Sequence, residues 1–233
     1  MNMNRMIVFG DSILKGVMYL DNGVRGKYKL CQGAFEQRMS ERGVEVIRRC
    51  HMGATIDAGL EQIKKSLERG ESFRNTTVLL EFGGNDCAFN WKDVSDAPEA
   101  MHKPKNELAR FCELYRRAIA LAQSAGAEVM LASLVPIDAV KYMNFISRGL
   151  SYDNILSWLG DINMLYRWHE GYNRAVEQLA VEHSLPLLDL RSGFLSDHAF
   201  KSLICDDGIH PTQAGHKKIE DIAVGTLSCP GVA

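Results

Sequence analysis

Short β-like runs recur along the chain at Arg5 to Phe9, Val44 to Arg49, Thr77 to Phe82, Glu128 to Ser133 and Leu185 to Leu188. Between them, Asp57 to Glu68, Asn106 to Ala125 and Tyr166 to His183 carry apolar residues at three- and four-residue spacing, as in Leu108, Phe111, Cys112, Tyr115, Ile119 and Ala122. The first spacing predicts strands and the second predicts helices that cover a sheet. Strands that alternate with helices predict an α/β fold with a five-stranded parallel sheet. Gly70, Gly126 and Pro186 mark helix ends and loops, and Pro211 is expected to open the last helix at its first position. No repeat or low-complexity segment interrupts the pattern, so residues 1–233 are read as one domain.

Two stretches exceed a minimal five-strand unit: about 87–105, which is polar and holds two prolines, and about 138–165, which is rich in large apolar side chains. Both follow predicted strands. Loops after the carboxyl ends of parallel strands build the ligand site, so these insertions are expected there, with the second either capping the site or serving as packing or a dimer contact.

With 27 basic and 29 acidic residues and a net charge of −2, the basic side chains lie in scattered pairs such as Arg48-Arg49, Lys64-Lys65, Arg116-Arg117 and Lys217-Lys218. That balance excludes the basic stripe of a nucleic-acid binder. The stretch from Met1 to Arg5 leads into only four apolar residues, too few for a signal peptide, and no run reaches membrane-spanning length. The expected location is cytoplasmic. The six cysteines contain no CxxC pair, so they are expected to be free thiols, and the histidines show no metal-ligand spacing.

Three short sequences carry the candidate chemistry. In Phe9-Gly10-Asp11-Ser12, Ser12 stands where the first strand ends, at the carboxyl edge of the sheet; an N-cap is its ordinary role there. In Phe82-Gly83-Gly84-Asn85-Asp86, Asn85 offers a neutral amide donor of the kind that holds an oxyanion, in a sequence that also reads as a plain turn. In Asp207-Gly208-Ile209-His210-Pro211, a carboxylate three residues before a histidine can accept from the imidazole Nδ1–H and leave Nε2 as a base. In the flavodoxin-like strand order 2-1-3-4-5, the loops after strands 1, 2 and 3 are neighbours, which sets Ser12, Asn85 and the Gly53 N–H side by side. The Asp207/His210 loop is the one compact candidate for a base.

These blocks resemble the SGNH (GDSL) hydrolases. Gly10-Asp11-Ser12-Ile13-Leu14, Gly53-Ala54-Thr55, Gly83-Gly84-Asn85-Asp86 and Asp207-Gly208-Ile209-His210 follow the family's four blocks in order over nearly the whole chain. The resemblance implies a three-layer α/β/α flavodoxin-like fold and no cofactor, and the histidine spacing gives no reason to expect a metal. It also implies Ser12 as nucleophile, His210 as base, Asp207 as its orienter, and an oxyanion hole from Ser12 N–H, Gly53 N–H and Asn85. Ile13 departs from the usual leucine, and His51 stands where many members have asparagine.

Other side chains near these blocks have plainer readings. Asp206 is expected to be solvated and Asp189 to cap a loop, while Asp11 and Asp86 hold loop backbone. Cys87 is expected to line the pocket as a buried thiol. The absence of GxSxG excludes the α/β-hydrolase elbow. The function expected from the sequence is a serine esterase or acylhydrolase for a small carboxylic ester, an acetylated sugar or a short-chain or lysophospholipid-type acyl ester. An acyltransferase with the same triad and a silent binding module of the same fold are the alternatives. A small-molecule ester is the expected partner, with no nucleic acid and no membrane insertion, and the sequence leaves monomer and homodimer open.

Overall fold

The computed structural model describes residues 4–21 and 26–228. In chain order these form β1 (Arg5–Gly10), α1 (Ser12–Lys15), β2 (Val17–Leu20), β3 (Lys27–Leu30), α2 (Phe35–Ser40), β4 (Glu45–Cys50), α3 (Ile56–Glu68), β5 (Thr77–Glu81) and α4 (Trp91–Asp96). There follow α5 (Leu108–Ser124), β6 (Glu128–Ala132), α6 (Ala139–Ile146), α7 (Tyr152–Leu159), α8 (Asn163–Glu182), β7 (Leu187–Leu188), α9 (Leu190–Leu195) and α10 (Gln213–Ser228). Met1 to Met3 of the expected N-terminal reading, and Cys229, lie outside the described residues.

The main sheet runs β4-β1-β5-β6-β7 and all its pairings are parallel. This is the expected 2-1-3-4-5 order. Central β1 and β5 are buried on both faces, which explains their nearly continuous apolar composition. Alternate side chains serve two cores: Ile7, Phe9, Val78 and Leu80 pack beneath Ile63, Phe111, Tyr115 and Tyr172 of α3, α5 and α8. Met6, Val8, Leu79 and Met130 face the other way, toward Met39, Phe194 and Ile219 of α2, α9 and α10. The result is three layers.

Several expectations shift in detail. The last strand shrinks from Leu185–Leu188 to Leu187–Leu188, because Pro186 has no N–H for the ladder and Asp189 already caps α9. Pro211 does not open the last helix: it bridges Ile204, and α10 starts at Gln213 with Thr212 as its cap, whose Oγ1 accepts from Gly215 N at 3.2 Å. On α5 the buried stripe runs through Phe111, Leu114, Tyr115, Ala118, Ile119 and Ala122, leaving Leu108 43% exposed. The helix stops match expectation, with Gly70 at φ +79° after α3 and Gly126 at φ +91° after α5.

The antiparallel hairpin β2–β3, outside the main sheet, was not expected from the sequence. The two long stretches, 87–105 and 138–165, contribute α4, α6 and α7, and Phe89, Val94, Met143, Ile155 and Leu159 give them a small core of their own. Ser95 ties them together, accepting from Ser151 N at 2.9 Å and from Asn154 Nδ2 at 2.7 Å. Among the described residues no helix is long and apolar enough to cross a membrane.

Candidate active site

Strand β1 ends at Gly10 beside Cys50 of β4 and Glu81 of β5, so the three following loops share one edge of the sheet. A Cβ at Gly10 would stand 3.1 Å from Glu81 Oε2, a tight contact that a larger residue could make only if Glu81 shifted. Asp11 then caps α1, its Oδ1 accepting from Ile13 N at 2.7 Å, and Ser12 is the first residue of that short helix. Ser12 is not itself the cap. Its side chain is directed instead at a histidine from the far end of the chain.

His210 Nε2 lies 2.9 Å from Ser12 Oγ, and His210 Nδ1 lies 2.6 Å from Asp207 Oδ2. All three are enclosed, with Asp207 fully buried and Ser12 and His210 at 5% and 6% exposure. The loop is built to hold this geometry. Asp207 Oδ1 accepts from the backbone N–H of both Ile209 and His210 at 3.1 Å, and Cys205 N donates to His210 O at 2.7 Å. Asp206, by contrast, is exposed and faces Lys141, as its reading as a solvated neighbour required.

Asn85 lies in the loop after β5, its Nδ2 donating to Asp11 Oδ2 at 2.8 Å. An amide nitrogen carries two hydrogens, so one remains for a ligand. Gly53, at φ +74°, sits in the adjoining loop after β4, where Ala54 N closes the turn onto His51 O at 3.2 Å. The backbone N–H groups of Ser12 and Gly53 donate to no acceptor among the described residues. Ser12, Asn85 and His210 line one cavity of about 210 Å³, and Gly53 stands outside its lining.

The acidic neighbours behave as loop anchors. Asp86 Oδ1 accepts from Ile56 N at 3.0 Å and from Asn106 Nδ2 at 2.7 Å, standing in for the cap that Thr55 does not provide to α3. Asp189 caps α9 by accepting from Ser192 N at 2.9 Å. Cys87 lines a neighbouring cavity with its thiol on Gly84 O, and burial pushes its pKa up to about 12, which keeps it un-ionised.

Glu81 was missed by the sequence reading. It is 2% exposed at the end of β5, where Asp11 N donates to its Oε2 at 3.3 Å. Burial and the neighbouring Asp11 carboxylate hold its pKa well above the usual carboxylate range. Burial also raises Asp11 to about 6, partly offset by the Ile13 hydrogen bond and the charge of His210. A carboxylate closing an otherwise apolar strand is the signal that could have revealed Glu81. The aromatic walls of the cavity, Trp91, Tyr142 and Phe89, come from the insertions, as does Phe145, while His169 comes from α8.

Residues 8–218 match the sequence model of the family described as GDSL-like Lipase/Acylhydrolase. No curated protein sequence matches the chain. Among solved structures, the lipase/acylhydrolase from Enterococcus faecalis is 18% identical with a TM-score of 0.63, covering 97% of this chain and 95% of its own. A member of the lipolytic G-D-S-L family from Veillonella parvula is 15% identical with a TM-score of 0.65, covering 97% and 99%. The psychrotrophic esterase EstA from Pseudoalteromonas sp. is 15% identical with a TM-score of 0.59, covering 96% of each chain. These likenesses show the shared fold.

Proposed function

The chain belongs to the GDSL-like lipase/acylhydrolase family and is a serine hydrolase of ester bonds, and from that premise we propose that it cleaves a small carboxylic ester through an acyl-enzyme on Ser12. The observation that carries this reading is the continuous line from Ser12 Oγ to His210 Nε2 at 2.9 Å and from His210 Nδ1 to Asp207 Oδ2 at 2.6 Å. Ser12 Oγ attacks the ester carbonyl while His210 Nε2 takes its proton, and Asp207 holds the imidazole in the required tautomer. The tetrahedral oxyanion is held by Ser12 N–H and the free hydrogen of Asn85 Nδ2, with Gly53 N–H of the adjoining loop, outside the cavity lining, as the third donor the family resemblance implies. Collapse releases the alcohol with the proton from His210. Water, deprotonated by His210, then cleaves the acyl-enzyme to give the carboxylic acid and restore Ser12.

The insertions serve as the cap over this site, since α4 and α6 supply much of the apolar wall facing Ser12. Hydrolysis of p-nitrophenyl esters from acetate to octanoate, by the parent protein and by Ser12→Ala in parallel, tests the reading. Turnover by the parent and its loss in the variant are expected. Equal turnover in both removes Ser12 from the mechanism, and no turnover by the parent removes ester hydrolysis of this class.

A further inference from the structure

Beside the Ser12 cavity lies a second one of about 270 Å³, and the two share Gly84, Phe89, Trp91, Tyr142 and His169 as a common wall. The chain has three tryptophans, and all three, Trp91, Trp158 and Trp168, line this second cavity. Phe89 joins them, its ring centroid 5.6, 4.8 and 5.3 Å from theirs in that order. The indole N–H groups of Trp91 and Trp168 are already used, on Tyr142 Oη at 3.2 Å and on Cys87 O at 3.1 Å. They therefore present ring surface to the cavity. No Lys, Arg, Asp or Glu lines it among the described residues, so a charged group entering it would lose its hydration without compensation. Its volume exceeds the roughly 150 Å³ that holds a benzene ring, which leaves room for a substituted ring and a linker.

One polar side chain in this wall is unpaired. His169 is 6% exposed, and neither ring nitrogen has a hydrogen-bond partner among the described residues. Nδ1 is enclosed, which leaves Nε2 as the nitrogen available to a ligand. Burial, reinforced by the charge of Arg191, lowers the His169 pKa to about 3, so the ring stays neutral and offers one donor and one acceptor. Nε2 is the ring nitrogen a ligand can reach, and no protein group among the described residues occupies it, so a hydrogen-bonding ligand in this aromatic wall supplies its partner.

Building on the esterase reading, we propose that this cavity is the specificity pocket for one arm of the ester, and that it takes an uncharged aromatic group whose hydroxyl hydrogen-bonds Nε2 of His169. Aromatic walls favour a ring by edge-to-face and offset contacts, and the neutral imidazole favours a hydroxyl over a carboxylate or an ammonium.

The test needs no turnover. Because every tryptophan lines the cavity, the intrinsic fluorescence of the Ser12→Ala protein reports its occupancy, and 4-ethylphenol is titrated against ethylbenzene. A purely apolar cavity binds ethylbenzene better, since the phenol must shed its hydration. With His169 in place, 4-ethylphenol is expected to bind about fivefold tighter or more. That preference reverses in His169→Leu and returns in His169→Gln. Equal or weaker binding of the phenol, or no fluorescence change with either probe, overturns the proposal. If His169→Leu does not fold, the two probes on Ser12→Ala still decide it. In turnover by the parent enzyme, esters with a 4-hydroxyphenyl group in the acyl arm and in the alcohol arm are each compared with their phenyl counterparts. At least one pair is expected to show the same preference, and parity in both overturns the pocket assignment. Binding preference without any ester turnover would overturn the esterase reading alone.

Discussion

Asp11 Oδ2 accepts a 2.8 Å hydrogen bond from Nδ2 of Asn85, so the residue before Ser12, the proposed nucleophile, orients the amide proposed to hold the oxyanion. The other oxygen of Asp11 accepts from Ile13 N at 2.7 Å, which fixes the turn carrying Ser12. One carboxylate thus couples the turn carrying Ser12 to the amide of Asn85. Asp11→Asn has a single acceptor oxygen and cannot serve both partners. A fall in kcat of about 10–100-fold with little change in KM is expected, smaller than the roughly 10²–10³ expected for Asn85→Ala. Steady-state kinetics on an ester turned over by the parent checks this, and unchanged kcat in Asp11→Asn would show that the link has no part in catalysis.

Asp207→Asn separates orientation from shape. The amide oxygen can still accept from Ile209 N and His210 N, so the loop is retained, but its NH₂ faces His210 Nδ1 and favours the wrong tautomer. By the precedent of other Ser-His-Asp enzymes, kcat is expected to fall by about 10⁴ with thermal stability nearly unchanged. A variant that retains kcat within a few-fold would assign the orienting role elsewhere.

The loop that carries this pair leans directly on the second insertion. At Gly208, φ is +76°, and a Cβ would lie 2.2 Å from Tyr142 N and 2.6 Å from Asp138 O of the α6 start. Gly208 O also accepts from Asp138 N at 2.9 Å. Gly208→Ala is therefore expected to destabilise the fold by about 2–4 kcal/mol through strained backbone and overpacking. It should also lower kcat, because the loop cannot move without moving His210. Denaturant unfolding and kinetics on the same preparation check both, and a variant as stable as the parent would refute the close approach.

The strands and the positions of Ser12, Asn85, Asp207 and His210 were legible because both depend on local signals, whereas the sheet order came with the flavodoxin-like resemblance. Apolar runs mark the strands, and short polar blocks follow them. What was not legible depends on contacts between distant segments. The β2–β3 hairpin offered only the alternation in Lys27-Tyr28-Lys29-Leu30 as a clue, yet it places the Tyr28 ring 5.3 Å from that of His210. Glu81 reads as a strand end until the register sets it beside Gly10. Asp86 was read as a loop anchor, and only the fold shows that it anchors the start of α3, thirty residues earlier in the chain. The stretches 87–105 and 138–165 stood out in the sequence by their length, but the joint wall around Trp91, Trp158 and Trp168 needs α4, α7 and α8 packed together.

His216, at the start of α10, makes a 2.9 Å contact from Nε2 to Val17 O and so fastens the hairpin to the body of the protein. Burial is the main cause that lowers its pKa to about 4, with the charges of His210 and Arg48 adding to it and the Val17 contact opposing it. The folded state therefore binds this proton less readily than the unfolded chain, whose ordinary value is 6.5. The stability it contributes is present above that value and is lost as pH falls from 6.5 through about 4. Asp11 and Asp86 work in the opposite sense: burial raises both from 3.8 to about 6, so their contribution is present below 3.8 and is lost as pH rises through about 6. The two trends overlap and flatten the parent's profile, so the difference between parent and variant is the informative quantity. His216→Gln keeps a donor for Val17 O but cannot take up the proton. Between pH 7 and 4, unfolding free energies measured at each pH should show the parent losing about 2–3 kcal/mol more than the variant. Parallel losses in the two proteins would show that His216 is not held neutral by the fold.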